Sequence, residues 1–92
     1  MNDRIKVLYV DDEPINLQLF QLNLRKKYNV LVAENGIASL DILAINEDVA
    51  LVVSDIKMPK MNGVEFIRAA KEKYPEIGYF ILTGYEITEE IR

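Results

Sequence analysis

Cysteine and histidine are both absent from the 92 residues of this chain, and their absence narrows the chemistry it can perform. Without cysteine there are no disulfides, no thiolate zinc sites and no cysteine nucleophiles. Without histidine there is neither imidazole catalysis nor a histidine-ligated metal. Any chemistry must therefore use carboxylates, hydroxyls, lysines or a bound hard cation.

Long apolar runs, nucleotide-binding glycine motifs and basic blocks are missing as well. No run approaches the ~20 residues that span a bilayer, so we expect no membrane association. Neither G-x-G-x-x-G nor a P-loop is present, and the net charge of −4 argues against nucleic acid as a direct partner. The opening residues 1–4 lead directly into a strand-like run, which favours a cytoplasmic protein without a signal peptide.

The composition is that of a small globular domain. Half of the residues are hydrophobic and 28% are charged, which is typical of a folded chain rather than a disordered one. A chain of 92 residues is long enough for one small domain, so we expect a single domain over residues 1–92.

Strand-like and helix-like segments alternate along the chain. The predicted strands are Ile5–Val10, Val30–Ala33, Ala50–Asp55 and Tyr79–Thr83, and the predicted helices start near Pro14, Ile37 and Asn62. Thr88, followed by two glutamates, predicts the start of a fourth helix. This alternation indicates right-handed βαβ units and an α/β fold with a parallel sheet.

Polar residues follow three of the four strands, at the sheet edge where such folds place their sites. Asp11 and Asp12 follow the first strand, Asp55 ends the third, and Thr83 ends the fourth. Each has an ordinary structural explanation when taken alone. The acid pair is able to cap the first helix, Asp55 to start a turn, and Thr83 to end a strand.

Together, the three carboxylates favour a functional explanation. Like charges gathered at one edge raise each other's pKa and oppose folding, and no basic residue lies at these strand ends. A hard divalent cation would neutralise them, and Mg²⁺ is usually held by one or two carboxylates plus phosphate. A carboxylate beside Mg²⁺, with a hydroxyl at the next strand end, is suited to phosphoryl transfer.

These segments resemble the receiver domain of two-component response regulators. The resemblance rests on V-D-D-E-P after the first strand, S-D-I-K-M-P-K-M-N-G around the end of the third, and L-T-G at the end of the fourth. It covers essentially the whole chain. It implies a flavodoxin-like doubly wound parallel sheet with strand order 2-1-3-4 over these four strands.

The resemblance also implies roles for individual residues. Asp55 would accept a phosphoryl group from a phosphohistidine of a sensor histidine kinase or phosphotransfer protein. Asp12 would bind Mg²⁺ directly and Asp11 largely through water, with Asp55 and the backbone carbonyl of Lys57 completing the protein ligands. Thr83 would hydrogen-bond the phosphoryl group, and the domain would act as a conformational switch rather than a turnover enzyme.

The chain departs from the family pattern after the fourth strand. The usual fifth strand and fifth helix have no counterpart in the sequence, nor does the lysine that ends the fifth strand. We therefore expect a fragment of a longer receiver domain. Without a fifth strand, residues 79–82 would form an apolar edge open to pairing with another chain.

The first helix carries apolar residues on two sides. One stripe contains Ile15, Leu19 and Leu22, and the other contains Leu17, Phe20 and Leu24. A surface helix needs only one apolar stripe. In the receiver family the fifth helix lies beside the first, so the resemblance implies that the second stripe faces the position of this missing helix. For the chain folded in isolation, these features predict a dimer or higher assembly that covers the fourth strand and the Leu17, Phe20 and Leu24 stripe.

Two other functions stay open at this point. One is an aspartate-nucleophile phosphatase, although such enzymes use D-x-D after the first strand and this chain has Glu13 at the second acidic position. The other is a receiver-like binding module that no longer takes up phosphate. The missing lysine favours it, and the three intact acids oppose it.

Overall fold

The protein is a five-stranded sheet covered by helices on both faces. The computed structural model describes residues 4–55, 63–83 and 86–89, and only the backbone at residues 83 and 86–89. The strands are β1 Ile5–Val10, β2 Tyr28–Ala33, β3 Val49–Asp55, β4 Gly78–Thr83 and β5 Glu86–Glu89. The helices are α1 Pro14–Leu24, α2 Gly36–Ile45 and α3 Gly63–Lys73.

The strand order is β2-β1-β3-β4-β5, and the first four strands are parallel. This order confirms the flavodoxin-like doubly wound sheet that the sequence predicts. The eight predicted bounds of strands β1 to β4 agree with the structure to within about two residues, and so do the three predicted helix starts, which is the usual uncertainty of helix and strand ends. The order reverses direction beside β1, so the ends of β1 and β3 form the edge at which such folds bind ligands.

Local sequence signals explain where the helices start. Pro14 occupies the first turn of α1, where its missing N–H would have had no helical partner. The Asn35 side chain caps α2 by accepting a hydrogen bond from the Ala38 N–H at 2.7 Å. The predicted capping role of Asn62 at α3 lies outside the described residues.

The prediction that Thr88 begins a helix is wrong. Thr88 and its neighbours form β5, which pairs antiparallel with residues 80–83 of β4. As a result, the predicted open edge at Tyr79–Leu82 is also wrong, because β5 covers most of it. The physical reason is that an edge strand exposes unpaired N–H and C=O groups, whereas one isolated helical turn gains little from its own hydrogen bonds.

Two apolar clusters lie on opposite faces of the sheet, since alternate side chains of a strand point to opposite sides. On one face Leu8 and Val10 pack with α2 and α3, where Phe66 and Ile67 are fully buried. On the other face Val7, Tyr9 and Val53 pack with Leu17 of α1. Among the described helices, none is long and apolar enough to cross a membrane.

The assignment of the two stripes of α1 is wrong. Leu17 is buried against the sheet and Phe20 packs beside it, so this side faces the core. The exposed side is instead Ile15, Leu19 and Leu22, whose side chains are 61%, 51% and 58% exposed. Both stripes are equally apolar, so only the way α1 packs on β1 and β2 decides which one is covered. A dimer therefore stays a prediction, and on this helix the surface available to it is the exposed stripe.

Buried Tyr79 makes the stability of the fold sensitive to alkaline pH. Its hydroxyl donates a hydrogen bond to the Tyr74 carbonyl at 2.9 Å, and burial, aided by Tyr74, raises its pKa from 10.0 to about 12. The folded state holds the proton more tightly, so the contribution to stability is complete below pH 10.0 and is lost towards pH 12.

We expect Tyr79→Phe to reduce this alkaline loss of stability. Urea unfolding at several pH values above 10 should show a smaller fall in the free energy of unfolding for the variant than for the wild type. The pKa of Tyr9 is also raised, so part of the alkaline loss of stability should remain in both the variant and the wild type. Identical pH dependence in both would show that Tyr79 does not contribute.

Candidate functional site

The carboxyl ends of β1 and β3 bring two of the predicted acids side by side. Val10 is the register partner of Ser54, so the next residues, Asp11 and Asp55, follow at neighbouring positions of parallel strands. Asp11 is 2% exposed, whereas Asp12 and Asp55 are half-buried. The apolar strands thus end in a group of acids at the point where the sheet meets solvent.

The three carboxylates form one cluster. Each of Asp11, Asp12 and Asp55 offers an oxygen, and these oxygens all lie within 4.8 Å of one another. Neither Asp11 nor Asp12 forms an ion pair with a basic side chain in the described part of the chain. Three hard oxygen donors at this spacing suit Mg²⁺, which prefers oxygen ligands and is commonly bound through few carboxylates.

Asp11 is fixed by three hydrogen bonds. Its Oδ2 accepts from the Tyr9 hydroxyl at 2.7 Å and from Asn16 Nδ2 at 3.2 Å. Its Oδ1 accepts from the Glu13 backbone N–H at 2.9 Å. The last bond holds the residue just before α1, but it does not cap the helix, because Glu13 is the N-cap and, among the described residues, no side chain caps this helix start. Two side-chain donors directed at the same carboxylate exceed what holding that residue requires.

The sequence did not indicate the two side chains that donate to Asp11, Tyr9 and Asn16, and Tyr9 is the buried one of the two. Its ring stacks on Phe20 of α1 with centroids 4.1 Å apart, and its hydroxyl bonds Asp11. Burial raises the pKa of Tyr9, and the hydrogen bond to Asp11 and the charges of Asp11 and Asp55 raise it further. A signal was available in the sequence, since residues two apart on a strand share a face of the sheet.

An open cleft lies next to the acids, between α1 and the end of β4. It has a volume of about 440 Å³, and Tyr9, Asp11 and Asp55 are among the residues that line it. Its walls include Asn16 and Asn23 of α1, the apolar side chains of Leu19 and Phe20, and Leu82 of β4. The half-buried Asp55 is therefore reachable from solvent through this cleft.

Two predicted site residues fall on parts of the chain whose side chains are not described. Lys57 lies wholly outside the described residues. Thr83 ends β4, the strand whose Leu82 is the register partner of Asp55, but only its backbone is described. The structure therefore brings together Asp11, Asp12 and Asp55 and leaves the other two as expectations.

The family model for the response regulator receiver domain matches residues 7–92 of this chain. A Campylobacter jejuni protein named chemotaxis protein CheY homolog is 34% identical over 83 residues, which cover 86% of this chain and 64% of that protein. The hydrogenase transcriptional regulatory protein HoxA of Cupriavidus necator is 31% identical over 85 residues, which cover 92% of this chain and 17% of HoxA.

Solved structures of the same family are similar in shape. Vibrio cholerae chemotaxis protein CheY4 superposes with a TM-score of 0.84 at 29% identity, covering 90% of this chain and 71% of that one. A response regulator receiver domain protein from Clostridium thermocellum gives a TM-score of 0.83 at 34% identity, and the superposition covers 88% of this chain and 66% of that one. The chain spans less than two thirds of the length of the two curated relatives named above.

Proposed function

Because the chain belongs to the response regulator receiver domain family, we propose that it takes up a phosphoryl group on Asp55 in a Mg²⁺-dependent reaction. The donor would be a phosphohistidine of a sensor histidine kinase or phosphotransfer protein. The observation that carries this proposal is the cluster of Asp11, Asp12 and Asp55 beside an open cleft. The proposal describes a signalling domain that changes state, rather than an enzyme that turns over a substrate.

The residues of the site suit this transfer. A carboxylate oxygen of Asp55 would attack phosphorus, the phosphorus–nitrogen bond of the donor would break, and its electron pair would return to the imidazole, which then takes a proton. When bound, Mg²⁺ would neutralise negative charge on the phosphoryl oxygens. Asp11, Asp12, Asp55 and the carbonyl of Lys57 would hold the ion. The half-buried position of Asp55 leaves it accessible to the donor.

The uptake of phosphate would act as a switch through the end of β4. Thr83 ends the strand next to Asp55 and would hydrogen-bond a phosphoryl oxygen once it is present. A new bond there would favour one of the arrangements available to the segment that follows β4. The proposal therefore places the conformational response at the β4–β5 end of the sheet.

Incubation with acetyl phosphate tests the proposal directly. With Mg²⁺ present, we expect the intact mass to increase by one phosphoryl group, and with a chelator we expect no increase. Beryllofluoride with Mg²⁺ should shift the amide resonances of residues around the acid cluster. A chain that binds Mg²⁺ but takes up no phosphoryl group would instead be a receiver-like binding module. Sustained turnover of a phosphate ester would indicate a phosphatase.

A further inference from the structure

Tyr9 has a polar contact that the core does not require. Its ring is buried against α1, and phenylalanine would fill the same space. Its hydroxyl nevertheless donates a hydrogen bond to Asp11 at 2.7 Å, which is an ordinary distance for an O–H···O hydrogen bond. The contact joins the apolar cluster under α1 to the acid cluster at the strand ends.

We propose that Tyr9 is a positioning residue for the divalent cation, because it fixes the Asp11 carboxylate in the orientation that binds the ion. This inference rests on the proposed function and deepens it. A carboxylate has about four lone-pair sites. Tyr9 and Asn16 occupy those of Oδ2, and Glu13 occupies one on Oδ1. The acceptor site that is left lies on Oδ1.

Repulsion within the cluster makes such positioning necessary. The oxygens of Asp11, Asp12 and Asp55 lie within 4.8 Å of one another, so each carboxylate would otherwise rotate away from its neighbours. The Tyr9 hydroxyl opposes this rotation of Asp11. The parallel stack with Phe20, with planes 4° apart, holds the tyrosine ring and so fixes the direction of its hydroxyl.

Two opposing effects of the hydroxyl decide the sign of the prediction. A donor withdraws some charge from Asp11, which weakens it as a ligand, but it also holds the carboxylate in place before the ion arrives. Loss of such outer partners typically weakens metal binding by about 10–100-fold, so the positioning effect is the larger one. We therefore expect Tyr9→Phe to weaken Mg²⁺ binding.

Isothermal titration of the full chain with Mg²⁺ measures this effect. We expect the Kd of Tyr9→Phe to be about tenfold higher than that of the wild type. Tyr79→Phe is the matched control, since it also removes one buried tyrosine hydroxyl that donates a hydrogen bond, but on the other face of the sheet. Its Kd should equal that of the wild type. Circular dichroism of both variants would show whether they are folded.

A second variant covers the case in which Tyr9→Phe is poorly folded. Asn16 is exposed and donates to the same oxygen of Asp11, so Asn16→Ala should also raise the Kd, by a smaller factor. A Kd unchanged within twofold in the folded variants, with a wild type that binds Mg²⁺, overturns the role of Tyr9 alone. A wild type that binds no Mg²⁺ overturns both this inference and the proposed function.

Discussion

Asp55→Asn is expected to abolish phosphoryl uptake from acetyl phosphate and to leave the chain folded. Asparagine has nearly the same shape as aspartate but lacks the anionic oxygen that attacks phosphorus. The residue before it offers no substitute acceptor, because Ser54 is fully buried and its hydroxyl donates to the Asp55 carbonyl at 2.9 Å. Intact mass spectrometry after incubation with donor and Mg²⁺ should show only the unmodified variant.

Asp41→Asn is the control for this experiment, since it removes one carboxylate from the exposed side of α2. We expect it to take up phosphate at the wild-type rate. Uptake by Asp55→Asn at a comparable rate would mean that another residue is the acceptor. Circular dichroism of both variants would show whether unfolding is the cause of a loss.

Asp12→Asn is expected to change stability in opposite directions with and without Mg²⁺. In chelator, removing one of three clustered charges should raise the free energy of unfolding by about 1 kcal/mol, since Asp12 is half-buried and partly screened. With Mg²⁺ at about 100 times the wild-type Kd, binding stabilises the wild type by about 2.7 kcal/mol.

Asp12→Asn should lose most of the stabilisation that Mg²⁺ binding gives the wild type. Loss of a direct ligand weakens binding by at least the ~10–100-fold that loss of an outer partner costs. At the upper end of that range the variant gains only about 0.4 kcal/mol from the same Mg²⁺ concentration, so the wild type becomes the more stable protein. Urea unfolding in chelator and in Mg²⁺ measures both differences.

Asp41→Asn again provides the comparison, with little change expected in either condition. If Asp12→Asn were destabilised in chelator, repulsion within the cluster would not be the dominant effect at this site. If Mg²⁺ stabilised the variant and the wild type equally, Asp12 would not be a ligand. The two measurements therefore separate the electrostatic prediction from the metal-binding prediction.

The order of elements from β1 to β4 was predictable because its signals are local. Four apolar, largely β-branched runs alternate with segments that carry helix start signals, and Pro14 and Asn35 mark two of those starts in the structure. The parallel arrangement then follows from the right-handed crossover rule, which places the ends of β1 and β3 at one edge. The proximity of Asp11 and Asp55 also needs β1 and β3 to be neighbours, and this strand order was implied by the family resemblance rather than by the crossover rule.

Three features could not be predicted from local sequence signals, because they depend on contacts between distant segments. The pairing of β5 with β4 depends on the free edge of β4, and residues 86–89 contain no turn or periodicity strong enough to predict it. The side of α1 that faces the sheet depends on packing against Val7 and Val53, since both stripes are apolar. The contact between Tyr9 and Asp11 requires a particular side-chain rotamer, which the stack on Phe20 fixes.

The sequence by itself determined the elements from β1 to β4, the parallel arrangement of these four strands and the gathering of acids at one edge, because backbone preferences and apolar periodicity act over a few residues. The tertiary structure alone decided that the acids lie within 4.8 Å of one another, that Ile15, Leu19 and Leu22 are exposed, and that Tyr9 bonds Asp11. These outcomes depend on how whole elements pack, and packing selects among arrangements that local signals leave equally favourable.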